Sequence, residues 1–329
     1  MKALVYHKYG SPDNLGVEEL PIPDLKKNEV LIKVHSAAIN SWDWDLLRGK
    51  PFIVRLAGGG LTKPIKKILG CDVAGVITAV GAGVKKFKIN DEVFGDISES
   101  GWGAFAEYVS AKADTLTLKP RALSFTEAAA LPQAAVMALQ GVKDHGQVAS
   151  GQDVLINGAG GGVGSFAIQL AKMRGASVTG VDNTDKIEFM QSMGADNTID
   201  YTKEDFTKRE EQYDLILDVV GHHSLLDFKR ALKPVGKYKI IGGHTGLIFQ
   251  SVFLGPLISA FSSKKMGILA HQPNKGLSAI AQMVVEHKLQ VIIDRIFTLD
   301  QLPMAFRYFG ENSFKGKIVI SMVAANEIS

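Results

Sequence analysis

Cysteine is almost absent from this 329-residue chain: Cys71 stands alone. That excludes an internal disulfide and any zinc site built from several thiolates. An excess of one charge is missing too, since 37 basic and 34 acidic side chains are interspersed and leave a net +3. A chain dedicated to nucleic acid concentrates its positive charge, so no nucleic-acid partner is expected. No apolar run is long enough for a membrane span. The nearest, Leu247 to Phe261, falls short of the roughly 20 residues required and is interrupted by Gln250, Gly255 and Pro256. It reads as a buried or subunit-facing helix, with peripheral membrane attachment through Lys264 and Lys265 as the lesser alternative. The opening Met1-Lys2-Ala3-Leu4-Val5-Tyr6 reaches charge too soon for a signal peptide, and a cytoplasmic protein is expected.

What is present is an ordinary globular composition, 46% hydrophobic and 22% charged, with 34 glycines. The length suits two domains, each able to bury its own core. Up to about residue 120 the chain offers short strands, Lys2–Tyr6, Gly16–Leu20, Val30–Ala38, Gly70–Val80, Asp91–Gly95 and Ala104–Val109, separated by Pro and Gly clusters. That texture argues for a β-rich, barrel-like unit. After Pro120 it changes. Ser124-Phe125-Thr126-Glu127 is a capping-box pattern ahead of an alanine run. Apolar strands then alternate with helical stretches. The strands are Asp153–Asn157, Ser177–Val181, Asn197–Ile199, Tyr213–Val220, Tyr238–Gly242 and Met266–Ala270, the helices Gly164–Arg174, Asp185–Met193 and Ser224–Leu232. Such alternation predicts a doubly wound parallel sheet, hence an α/β protein. Further helices are expected at Gly276–Lys288 and Pro303–Phe309, and a last strand at Lys317–Met322 that could rejoin the first domain.

The strongest chemical signal is Val154-Leu155-Ile156-Asn157-Gly158-Ala159-Gly160-Gly161-Gly162-Val163-Gly164. A buried strand enters a glycine turn that opens a helix, with Ala159, Gly161 and Gly164 at the spacing of a dinucleotide fingerprint. Small residues let backbone approach a pyrophosphate, and the helix N-terminus supplies unpaired N–H groups and partial positive charge. Asp182, at the end of the next strand, stands where an acidic residue accepts the adenosine ribose hydroxyls and repels a 2′-phosphate. Lys186 and Tyr201 could instead hold that phosphate. Unit charges about 4 Å apart near a surface interact by roughly 4 kcal/mol of either sign, so NADH and NADPH both stay open.

With these residues in view, the chain resembles the zinc-free, quinone-oxidoreductase-like branch of the medium-chain dehydrogenase/reductase family, close to the zeta-crystallin-like and chloroplast-envelope quinone oxidoreductase proteins. Val34–Gly49, Gly70–Gly95, the nucleotide turn, Gly194-Ala195-Asp196, Ile199-Asp200-Tyr201 and Gly316-Lys317-Ile318-Val319-Ile320 carry the likeness over nearly the whole chain. It implies a GroES-like catalytic domain from residues 1–122 and 272–329, a Rossmann domain from 123–271, a substrate cleft between them, and a homodimer. Gly160 and Gly162 of the nucleotide turn join the cofactor-binding residues, and around the nicotinamide the resemblance points to Val163, Val220, Gly221, Gly242, Gly243 and His244. Met137 departs from the family, where a threonine is common.

Zinc relatives place a cysteine after the third strand and a histidine in Gly-His-Glu. Here those stretches read Asn40-Ser41 and Gly70-Cys71-Asp72, and the four-cysteine structural lobe is missing. No set of about three protein ligands assembles from the sequence, so no metal is expected. Cys71 reads as a small buried residue, and the adjacent His222 and His223 lack a third partner. Without a Lewis acid the hydride acceptor should be electron-poor already: a small electrophilic molecule such as a quinone, enal or enone. A hydrogen-bond donor to the developing oxyanion is worth about 2.7–4 kcal/mol. The resemblance puts Asn40 first for that role, and Asp43 second, to orient water or brace the loop. Trp42 and Trp44 could wall a planar acceptor or simply pack. His271 could reach substrate or stand in solvent. The rival readings are a zinc-dependent alcohol dehydrogenase and a non-catalytic, crystallin-like nucleotide binder.

Overall fold

In the first third of the chain, β-branched residues recur at alternate positions and build strands with one face inward. The computed structural model describes residues 1–322, apart from the side chains of residues 57 and 58. The early strands are β1 (Lys2–Tyr6), β2 (Leu15–Glu19), β3 (Glu29–Ala38), β4 (Asp72–Val80), β5 (Glu92–Asp96), β6 (Tyr108–Lys112) and β7 (Thr117–Leu118). Helix α1 (Ser41–Arg48) follows β3, and α2 (Phe125–Ala130) and α3 (Pro132–Leu139) close this part. The second part alternates β8 (Asp153–Asn157), α4 (Gly162–Met173), β9 (Ser177–Asp182), α5 (Ile187–Ser192), β10 (Asn197–Asp200), β11 (Tyr213–Asp218), α6 (Leu225–Ala231), β12 (Leu232–Ile240), α7 (Thr245–Phe261) and β13 (Lys265–Ile268). The remaining described elements are α8 (Leu277–Val285), β14 (Ile293–Thr298), α9 (Leu302–Glu311) and β15 (Lys317–Ser321).

Two compact units result, Met1–Val136 with Pro273 onward, and Met137–Gln272. In the first, β14-β15-β3-β4-β5-β7 form a sheet with β6 added to β3. β15 runs antiparallel to β3, with Val319 opposite Ala38, so the end of the chain completes a sheet begun near its start. Ile32, Val34, Val73, Phe105, Phe306, Ile318 and Ile320 share its core. The division lies past α2, later than the change of texture at Pro120. The reason is packing: Ala130 of α2 is buried with Ala38 of β3 and Val319 of β15.

In the second unit the sheet order is β10-β9-β8-β11-β12-β13, every neighbouring pair parallel. From β8 the chain winds one way through β9 and β10, then returns and winds the other way, so β8 and β11 flank the switch point. β8 and β9 bury every residue after their first, as expected of strands covered on both faces.

Some elements differ from expectation. α1 occupies a stretch read only as a motif, and β14 was not anticipated. The strand expected at Ala104–Val109 forms at Tyr108–Lys112, because Ala106 makes only an isolated bridge to Ala3. β12 starts at Leu232, before the Pro-Val-Gly segment, at the cost of φ +62° at Val235. The 247–261 stretch is one helix, α7, with Pro256 inside it. Among the described residues no helix is long and apolar enough to cross a membrane.

Candidate functional site

The glycine turn is shaped by the strand it leaves and the helix it enters. Gly158 adopts φ +83° straight after β8. A Cβ at Gly164 would stand 2.3 Å from the Gly158 carbonyl oxygen, and one at Gly160 2.5 Å from Lys186 Cδ. Those two glycines are demanded by the turn's own packing. Gly161 is not: a Cβ there would meet nothing nearer than 3.6 Å, and the residue caps α4 with no side-chain hydrogen bond. The first turn of α4 therefore presents uncapped N–H groups beside open space, with Gly161, Gly162 and Val163 partly exposed. These residues fit a dinucleotide pyrophosphate.

Asp182 ends β9 beside this turn. Its Oδ2 accepts from the Gly160 N–H at 2.9 Å and its Oδ1 from the Asn183 N–H at 3.0 Å. Lys186 is 1% exposed, with Nζ 3.4 Å from Asp182 Oδ1. The two groups read as rivals for the cofactor are thus partners, and each cancels the other's charge. Tyr201 follows β10, donates its backbone N–H to the Asp182 carbonyl at 3.1 Å, and leaves its ring half exposed.

The turns after β11 and β12 meet: Gly221 bridges Gly243, the Gly221 N–H donates to Gly242 O at 3.1 Å, and the His244 N–H to Gly221 O at 3.2 Å. His244 caps α7, its Nδ1 accepting from the Leu247 N–H at 3.2 Å. Asp218 ties these strand ends together, accepting from Tyr238 Oη at 2.7 Å and Asn157 Nδ2 at 2.8 Å. Burial pushes its carboxyl up to about 7 against those bonds. Ala159 to Gly164, Asp182, Val220, Gly221, Gly242, Gly243 and His244 thus lie at the carboxyl ends of β8, β9, β11 and β12, with Lys186 on the turn after β9. The neighbouring His223 ring packs edge-on against Phe206 and Phe228. Met137 is buried and His271 partly so.

In the first unit, Asn40 and Asp43 are the N-cap and third residue of α1. Asp43 is fully buried. Its Oδ2 accepts from the Asn40 N–H and its Oδ1 from the Gly70 N–H, both at 2.8 Å. Asp43 therefore braces α1 against the turn that carries Cys71, the simpler of the two roles expected of it. Asn40 is 6% exposed, and its carboxamide is used internally. Nδ2 donates to Asp72 Oδ2 at 2.9 Å and faces Cys71 Sγ at 3.6 Å, while Oδ1 accepts from Lys317 Nζ at 2.5 Å. The donor expected to face a substrate oxyanion is engaged with Asp72. Gln133 closes the network, its N–H pointing at both Asp72 oxygens, at 3.2 and 3.3 Å.

Burial pushes Asp43 and Asp72 up to about 7; nearby Lys317 opposes this in both, and Asp96 adds to it. Burial, then Asp72, Asp96 and Asp43, hold the Cys71 thiol well above its ordinary value. Trp44 stacks on Phe306 at 6.3 Å and carries Arg48 over its face, so its ring serves packing, while Trp42 is 45% exposed. Asp96 and Gln133 were not singled out in the sequence. Asp72 was read only within Gly70-Cys71-Asp72, and Lys317 only within the Gly316–Ile320 fragment of the family likeness.

A doubly wound sheet with an open glycine turn at its switch point, in a chain that also forms a separate β-rich unit from its early and late segments, is the architecture of a nucleotide-dependent oxidoreductase. Residues 26–121 match the family model described as "Alcohol dehydrogenase GroES-like domain", and residues 193–320 that described as "Zinc-binding dehydrogenase". The 2-methylene-furan-3-one reductase of Solanum lycopersicum is 36% identical over 331 residues, 97% of this chain and 79% of that one. The NADPH-dependent alkenal/one oxidoreductase, chloroplastic, of Arabidopsis thaliana is 39% identical over 230 residues, 67% and 58% of the two chains. The solved quinone oxidoreductase from Coxiella burnetii superposes with TM-score 0.86 at 31% identity, covering 98% of this chain and 99% of that one. The chain belongs to the medium-chain dehydrogenase/reductase family, in its quinone-oxidoreductase-like branch.

Proposed function

We propose that this protein is an NAD(P)H-dependent reductase that delivers hydride to a quinone or to an alkene conjugated with a carbonyl, without a metal. The observation that carries the reading is the uncapped α4 N-terminus at Gly161, open to a ligand at the switch point of the sheet. The names of the relatives support the acceptor class: a methylene-furanone reductase, an alkenal/one oxidoreductase and a quinone oxidoreductase. The bound dinucleotide supplies the hydride. The chain's part is to hold the pyrophosphate on the N–H groups of the first turn of α4, from Gly162 on, and the adenosine ribose near Asp182 and Tyr201. Because Lys186 neutralises Asp182, a 2′-phosphate meets no net repulsion there, and NADPH is accepted.

Asn40 and Asp43 shape the β-rich unit in this reading rather than exchange protons with substrate. A metal-independent acceptor follows from its chemistry: a conjugated carbonyl or quinone spreads the incoming charge onto oxygen without a Lewis acid. Dimerisation is part of the proposal. β13 is an edge strand, and α7 beside it turns Phe249, Phe253, Leu257 and Phe261 outward, a face suited to a second copy. The direct test is oxidation of NADPH and NADH against a quinone, an enone and a simple ketone, with turnover expected for the first two acceptors only.

A further inference from the structure

Cys71 Sγ and one oxygen each of Asp72 and Asp96 lie within 4.8 Å of one another, all in buried residues. A thiol and two carboxyls at that spacing offer the three donors that an open zinc site uses. Yet a cation already stands there. Lys317, 3% exposed, reaches the same place from β15, with Nζ 3.7 Å from Asp72 Oδ2. It donates to Asn40 Oδ1 at 2.5 Å and to the Ile39 carbonyl at 3.1 Å. The ammonium thus makes two hydrogen bonds and pairs with the Asp72 carboxyl by charge. The position is set by rigid structure: β15 lies along β3 with Val319 opposite Ala38, and the Ile39 N–H donates to Ile318 O.

We propose that Lys317 is the resident cation of this centre: its ammonium takes the electrostatic place of a divalent metal, keeps metal out of the Cys71–Asp72–Asp96 pocket, and fixes the Asn40 carboxamide. A metal on Asp72 would lie against a fixed positive charge, and both carboxyl oxygens already accept, Oδ2 from Asn40 Nδ2 at 2.9 Å and Oδ1 from the Gln133 N–H at 3.2 Å. The residues present therefore do not fit the zinc that the description of the matching family implies. Lys317 is a positioning residue, acting through Asn40 and Asp72. The inference goes beyond the reductase reading and stands without it.

The test is metal binding, with no nucleotide present. Wild type, K317M, K317R and the double variant C71S/K317M are dialysed against chelator and titrated with Co²⁺. K317M should take up about one equivalent and develop a sulfur-to-cobalt charge-transfer band, which C71S/K317M lacks, while wild type and K317R show neither. Zn²⁺ should raise the melting temperature of K317M and leave wild type unmoved. If K317M does not fold alone, recovery of its fold by Zn²⁺ supports the proposal, and failure to recover it counts against. A charge-transfer band in wild type as strong as in K317M overturns the proposal, as does a folded K317M with neither band nor zinc-dependent stabilisation.

Discussion

Asp43 is fully buried and accepts from two backbone N–H groups, those of Asn40 and Gly70. Each donor left unpaired costs about 1–3 kcal/mol. Asp43→Ala should therefore lower the melting temperature of the β-rich unit by roughly 5–15 °C. The loss should depend on pH. Asp43 holds its proton up to about 7 in the folded chain, against an ordinary carboxylate value of 3.8 in the unfolded one. Between those values the folded state binds a proton that the unfolded state lacks, so its contribution to stability declines as pH rises. The gap between wild type and Asp43→Ala should accordingly be wider near about pH 5 than near about pH 8. A gap that widens toward alkaline pH contradicts this. At the second site, Lys186→Met leaves Asp182 uncompensated. With interactions of about 4 kcal/mol between unit charges about 4 Å apart, KM for NADPH should rise at least about tenfold relative to that for NADH. An unchanged ratio removes the pair from the ribose site. Asp182, Lys186 and the glycines were legible because strand, turn and helix are contiguous in sequence. That Asp182 and Lys186 pair with each other was not, because spacing gives no direction to a side chain.

At the scale of elements, the same contrast has a physical cause. α4 and its strand are local, and a glycine turn announces them. α1 carried its own signals too, Asn40 at the cap, Asp43 three residues on and Gly49 in the left-handed region at its end. Those polar residues were read as chemistry, and the helix beneath them went unseen. The Asn40–Lys317 contact joins residues 277 apart, and no local period reports it. α7 makes the opposite case. Its uniform apolarity suited a buried or a subunit-facing helix alike; only Leu247, Ser251 and Gly255 are buried, with Phe253 at 66% and Phe261 at 88% exposed. If that face meets a second copy, Phe253→Asp should convert a dimer into a monomer in light scattering while the melting profile stays close to wild type. A wild-type monomer at micromolar concentration removes the interface.

At the scale of the whole molecule, the two compact units divide the work. One carries a parallel sheet whose strand ends and open glycine turn suit a dinucleotide. The other, which includes β15, buries Asp43, Asp72, Asp96 and Cys71, with Lys317 paired to Asp72. Hydride transfer without a Lewis acid is the central claim, and turnover after removal of metal tests it most directly. Protein dialysed against a strong chelator and given NADPH should reduce an enone and a quinone at the undialysed rate and leave a simple ketone untouched. Loss of enone turnover on dialysis with recovery on added zinc, or rapid reduction of the ketone, would contradict the account.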